Sequence, residues 1–175
     1  MITPGDNLPY FELGGVDDEI HTPEEWADRK LLVVIFTCNH CPYAQAYEER
    51  LIALQKRYSV QSVQFVAINS NDSEGYPEDG FREMKKRAKE SGFNYPYLRD
   101  KSQAVARKFG AACTPEAYLF DRHRICKYRG RIDDSWRDPS RVKEESLKEA
   151  ISDLLAGKEP VITERPALGC SIKWK

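Results

Sequence analysis

Six consecutive apolar residues, Leu31 to Phe36, run straight into Thr37-Cys38-Asn39-His40-Cys41-Pro42-Tyr43. The run is β-branched at its centre and preceded by Arg29-Lys30, and a short unbroken apolar stretch of this kind reads as a strand buried on both faces, in a sheet covered by helices. A helical pattern starts at once: Tyr43, Tyr47, Leu51, Leu54 and Tyr58 recur at steps of three and four, the spacing of one helix face. Two cysteines therefore stand where a buried strand hands over to the first turn of an amphipathic helix. First-turn N–H groups have no partner within the helix, and the aligned peptide dipoles put partial positive charge there. A thiolate at that place is favoured over a thiol, and two cysteines at this spacing can close a disulfide and exchange it through a mixed disulfide. The pattern points to a redox centre.

The pair has two other readings. Cys-x-x-Cys also makes half of a structural zinc site, but the closed site needs two more ligands, and Cys113, Cys126 and Cys170 form no second close pair. The cysteines could also be small buried hydrophobes, although their place after a strand in an α/β pattern favours chemistry. The 27 basic and 28 acidic residues leave a net charge of -1, so no global field recruits nucleic acid or an anionic membrane, and neither is expected as a partner. The start, Met1-Ile2-Thr3-Pro4-Gly5-Asp6, lacks the basic and apolar regions of a signal peptide. Five cysteines are too few for a disulfide scaffold, so a cytoplasmic location is expected.

Along the chain, Tyr10 to Leu13, Gly14-Gly15 and Val16 to Ile20 predict a small β-hairpin on the domain edge within residues 1–30. Thr22-Pro23-Glu24-Glu25 predicts a brief helical turn. Val63 to Ile68 reads as a second buried strand, parallel to the first because the connection is long enough for a crossover helix. The polar loop from Asn69 to Gly80 lies at the carboxyl end of that strand, where ligands bind in open α/β sheets, yet Asn and Asp also fill loops for local backbone reasons. Asn69 and Asn71 are expected mainly in that local role. Helices are expected at Phe81 to Ser91, with Glu83 and Arg87 on a solvated face, at about Ser102 to Phe109, and at Ser140 to Ala156. Between the last two lie a strand at Ala117 to Phe120, a turn holding His123, and a return strand at Ile125 to Arg129. Residues 1–157 form one domain in this reading, and residues 158–175 form an irregular tail without periodicity.

The order strand, Cys38-Asn39-His40-Cys41, helix, strand, helix, then Phe109-Gly110 shortly before Thr114-Pro115, and a hairpin plus terminal helix, resembles the thioredoxin-fold redoxins. The alkyl hydroperoxide reductase/thiol-specific antioxidant branch is the nearest resemblance, and Thr37 to Tyr43, Thr114-Pro115, Gly130 to Asp134 and Gly169 to Trp174 are similar to a bacterial "thioredoxin family protein" subgroup. The resemblance implies an α/β thioredoxin-like fold, with a central mixed sheet flanked by helices and an N-terminal hairpin extension. It implies a cis Thr114–Pro115 peptide facing the cysteines, with Thr37, Thr114 and Pro115 contacting substrate. It also implies a thiol-disulfide oxidoreductase in which Cys38 is the exposed attacking thiol, Cys41 the buried resolving one, and His40 tunes the pair. No cofactor is implied. The partners would be a protein or small-molecule disulfide or a hydroperoxide, and a thiol reductant.

A second register within the same resemblance makes Cys41-Pro42 the peroxidatic Cys-Pro of the peroxiredoxins, with Cys38 where those proteins carry Thr or Ser. A thiol is the poorer hydrogen-bond donor there, which favours the dithiol register. Leu32 stands where thioredoxin buries an acid, and Glu116 is a candidate substitute, although a surface carboxylate is the simpler expectation. Cys113 and Cys170 are candidate additional redox thiols; Cys113 and Cys126 also read as core fillers, and Cys170 as a tail thiol that folds over the site. Copper-delivery proteins of this fold bind metal through a Cys pair and a distant His. Here the cysteine spacing is two residues rather than three, and His123, the only later histidine, falls in a turn.

Overall fold

Leu31–Phe36 (β3) has none of its six side chains exposed and lies inside an eight-stranded mixed sheet. The computed structural model describes residues 1–175. In chain order the elements around β3 are β1 (Leu13–Gly15), β2 (Ile20–His21), α1 (Pro42–Ser59), β4 (Val63–Asn69), α2 (Phe81–Ser91), β5 (Tyr97–Arg99) and α3 (Ala104–Phe109). There follow β6 (Cys113–Thr114), β7 (Glu116–Phe120), β8 (Cys126–Gly130), α4 (Ser146–Leu155), β9 (Glu164–Arg165) and β10 (Cys170–Ser171). The large sheet runs β2-β1-β5-β4-β3-β7-β8-β9, and β10 pairs with β6 in a separate ribbon. β3 is parallel to β4 and antiparallel to β7, as the crossover helix between β3 and β4 requires.

Alternation along β3 feeds two cores. Leu31, Val33 and Ile35 pack with Tyr47 and Leu51 of α1 and Leu147 and Ile151 of α4. Leu32, Val34 and Phe36 pack on the opposite face with Val105 and Phe109 of α3 and Trp26. Each such fully buried side chain contributes roughly 1.5–3 kcal/mol, so the strand that leads into the cysteines is firmly anchored. No helix is long and apolar enough to cross a membrane.

Away from the cysteines, the framework differs from the sequence reading at both ends of the chain and at Arg87. The hairpin forms, but Gly14 and Gly15 lie in β1, and the reversal falls at residues 16–19 with Asp18 at φ 69°. The last helix starts at Ser146 instead of Ser140, because Asp138 accepts from Ser140 N–H and caps a separate 3-10 turn, Pro139–Arg141, and Val142 is extended. Arg87 reaches across to Glu48 with two 2.9 Å bonds and is no member of a solvated Glu83–Arg87 pair. The tail supplies two strands despite its lack of periodicity. β9 runs parallel to β8, a close approach that needs Gly130, where φ is +130° and a Cβ would meet the Arg165 carbonyl oxygen at 1.7 Å.

Candidate redox site

Cys41 is the N-cap of α1, with Pro42 at the first helical position where a missing N–H is harmless. The backbone is held upstream by Thr37 N–H, which donates to the Ile68 carbonyl at 2.9 Å. Cys38 Sγ lies 3.2 Å from Thr114 Oγ1, and the Cys41 thiol group lies 3.3 Å from the Thr114 carbonyl oxygen. The Thr114–Pro115 peptide is cis. Thr37, Cys38, Cys41, Thr114 and Pro115 are thus brought together, with Ala44, Tyr43 and Cys170 packed on the cysteines.

The two thiols are not equivalent. Hydrogen bonding from the Cys38 thiol, opposed by burial and reinforced by Cys170 and the Ala44 amide, draws the Cys41 thiol down to about 4. Cys38 is pushed far upward by that same bond to Cys41, by burial and by the negative charge of Asp79. Cys38 was expected to be exposed, but it is 2% exposed and Cys41 is 0% exposed, with Thr114 against both sulfurs and Tyr43 and Cys170 packed on their cluster. Cys170 is pushed up to about 11 by burial and by its bond to Cys41.

His40 Nδ1 bonds Asp79 at 2.5 Å, and its ring stacks on Tyr76 with centroids 5.1 Å apart. Asp79 is wholly buried and accepts from four donors: Asn39 N–H at 2.6 Å, Asn69 Nδ2 at 3.1 Å, Asn71 Nδ2 at 2.9 Å and His40. A carboxylate has about four lone-pair sites, so this one is saturated, and its acceptor character assigns the proton to His40 Nδ1. The buried Asn69 and Asn71 therefore do more than local loop work: they hold the acid that holds His40. Asp79 was missed in the sequence, where nothing separates it from the other polar residues of its loop. An open groove lined by polar and charged side chains, including His40, Gln45, Lys86 and Arg87, lies beside the motif.

Glu116 is 3% exposed, which corrects the expectation of a surface carboxylate. Its bonds go to Arg129 Nε at 3.2 Å and to the Ala112 N–H at 2.9 Å, so it is committed away from the thiols. Cys126 is fully buried in the core. Cys113 is opposite Ser171 in the ribbon, whereas Thr114 is opposite Cys170; neighbouring residues of a strand face opposite ways, so Cys113 points away from the pair. Burial and then Glu116 push its thiol up to about 12. His123 sits exposed in the turn beyond the far end of β7. The ligand atoms that do converge are those of Cys38, His40 and Asp79, within 4.8 Å of one another; the saturated carboxylate leaves that set poorly suited to a metal.

Three solved structures bear on the chain. One, an uncharacterized conserved protein from Geobacillus kaustophilus, is 43% identical, with a TM-score of 0.94 over 100% of this chain and 94% of that one. A hypothetical protein from Sinorhizobium meliloti 1021 is 36% identical, with a TM-score of 0.92 over 100% and 96%. The peroxidoxin BcpB from Mycobacterium tuberculosis shares the thioredoxin-like fold at 20% identity, with a TM-score of 0.63 over 74% and 85%. No curated protein matches. The AhpC/TSA family profile matches residues 4–129, from the N-terminal segment through the cysteine pair and the cis-proline strand to β8. The chain belongs to the AhpC/TSA family, whose members are redoxins of thioredoxin-like fold.

Proposed function

We propose that the chain is a thiol-disulfide oxidoreductase whose redox centre is the Cys38/Cys41 dithiol, with Cys41 as the resting thiolate and Cys38 as its disulfide partner. The observation that carries this reading is the meeting of both sulfurs at the start of α1 against the cis Thr114–Pro115 peptide, Cys38 Sγ 3.2 Å from Thr114 Oγ1 and Cys41 Sγ 3.3 Å from the Thr114 carbonyl oxygen. This assignment exchanges the roles expected from the sequence, because the interaction within the pair draws Cys41 down while it, burial and the charge of Asp79 push Cys38 up. The Cys41 thiolate attacks one sulfur of a protein or small-molecule disulfide, and the other sulfur leaves as a thiolate. Cys38 then gives up its proton and attacks Cys41, so that the second substrate sulfur leaves and the Cys38–Cys41 disulfide forms. A thiol reductant reverses these steps on the enzyme. His40, fixed by Asp79, tunes the pair, and Thr37 and Thr114 beside Pro115 receive the strand that brings a disulfide to the thiols, a place that β10 holds in this structure.

The stabilised Cys41 thiolate directly before Pro42 also favours a second reading, reduction of a hydroperoxide. Here Cys41 attacks the O–O bond, water or an alcohol leaves, and the resulting sulfenic acid condenses with Cys38 to release water. Turnover of insulin disulfide and of hydrogen peroxide by the wild type, Cys38→Ser and Cys41→Ser tests both. Disulfide turnover that is lost in both variants supports the first reading. A single turnover of peroxide that survives in Cys38→Ser supports the second. Wild-type activity in Cys41→Ser sinks both.

A further inference from the structure

With Cys38 and Cys41 2% and 0% exposed, no disulfide of a folded partner can touch either sulfur in this arrangement. What covers them is specific. β10 pairs with β6 so that Cys170 lies opposite Thr114, and directly opposed residues of an antiparallel pair share a face. Thr114 turns its hydroxyl to Cys38, so Cys170 is aimed at the same place, and it packs on the cluster of Cys38, Cys41 and Ala44 while keeping partial exposure. The strand is seated, not loosely draped. The Lys173 carbonyl accepts from Asp72 N–H at 2.7 Å and Gln103 Nε2 at 2.8 Å, and Ile172 is buried in the core. Gly169 permits the contact, since a Cβ there would meet the Thr114 carbonyl oxygen at 2.0 Å.

We propose that residues 169–175 act as a tethered substrate strand, and that Cys170 is the catalytic thiol that carries redox equivalents between the buried pair and the surface. The proposal rests on the dithiol reading. In the oxidised protein, the Cys170 sulfur gives up its proton and attacks Cys41. The Cys41–Cys170 bond forms, the Cys38–Cys41 bond breaks, and Cys38 takes up a proton; no electrons enter or leave. An external dithiol then attacks the exposed side, at Cys170, and expels Cys41 as its thiolate. Low-pKa thiolates leave fastest, so the arrangement of donors around Cys41 favours this surface step. The second sulfur of the dithiol then frees Cys170 as a thiol and leaves as a disulfide.

The test oxidises the full chain with one equivalent of diamide, quenches in acid, and maps disulfides by mass spectrometry in the wild type, Cys38→Ser and Cys170→Ser; reduction by dithiothreitol is then timed. A Cys41–Cys170 bridge is expected as the main product in Cys38→Ser and as a fraction in the wild type. In Cys170→Ser the Cys38–Cys41 bridge is expected to form but to be reduced on the order of tenfold more slowly, access being a determinant of exchange rate. Free Cys41 and Cys170 in oxidised Cys38→Ser, or reduction of Cys170→Ser at the wild-type rate, overturns the tethered strand. Absence of the Cys38–Cys41 bridge from Cys170→Ser overturns instead the dithiol reading beneath it.

Discussion

Asp79 holds His40 across a separation of 39 residues, its buried carboxylate 2.5 Å from the imidazole Nδ1. The acid thereby fixes the orientation of the ring near the Cys38 sulfur, and it binds the motif loop to the carboxyl end of β4 through Asn69 and Asn71.

Asp79→Ala is expected to destabilise the protein by about 3 kcal/mol or more, because each buried donor left without an acceptor costs roughly 1–3 kcal/mol and four lose theirs. Asp79→Asn should lose a comparable amount, since its amide turns donors toward donors. Urea unfolding of the reduced protein measures both, and a loss below about 1 kcal/mol contradicts the network.

The cysteine cluster gives the reduced state its own pH dependence. Cys41 titrates near 4 in the folded chain against 9.0 as the ordinary thiol value. Between these values the unfolded chain binds a proton that the native one does not, so stability rises with pH, at most by about 1.4 kcal/mol per pH unit for one proton. Above the ordinary thiol value the sign reverses, because Cys38 and Cys170 keep their protons in the folded chain and lose them on unfolding. The difference in unfolding midpoint between reduced and oxidised protein should climb from about pH 5 to about pH 8 and turn down beyond about pH 9. A flat difference is the contrary result.

Glu116 and Arg129 side chains are 4% and 13% exposed and face each other next to Pro115. Removal of one partner strands a buried charge at a cost of about 3–5 kcal/mol, whereas removal of both avoids it. Arg129→Met alone is therefore expected to be less stable than the double variant Glu116→Gln, Arg129→Met. Thermal unfolding of the set decides the order, and equal or lower stability of the double variant contradicts it.

Gly169→Val forces β10 off the Thr114 carbonyl oxygen, which leaves no space for a side chain. Labelling of Cys41 by iodoacetamide should accelerate on the order of tenfold or more, because thiolate reactivity in a buried site is limited by access. Unchanged labelling shows that the strand does not cover the sulfur.

The legible parts of the sequence were those with dense local signals. Leu31 to Phe36, the α1 period from Tyr47 to Tyr58 and the Cys38/Cys41 spacing each recur within a few residues, and the sheet, its two cores and the helix start follow from them. Three features were hidden for physical reasons. Asp79 acts through contacts with residues 39, 40, 69 and 71, which share no period with it. The expected start of the last helix is taken up by the Pro139–Arg141 turn, and Glu144, just before the observed start, is committed to Arg131 and Arg165. β10 is two residues long and acquires its strand geometry wholly from β6, so no alternation could announce it.

β6 is a strand of two residues with one side turned outward from the fold, and without β10 the main-chain groups of Cys113 and Thr114 would lie bare. An unpaired strand border is a template on which another chain can pair. By laying Cys170 and Ser171 along that border, the chain satisfies those groups within itself, so displacing the strand becomes a question of association between copies as well as of catalysis.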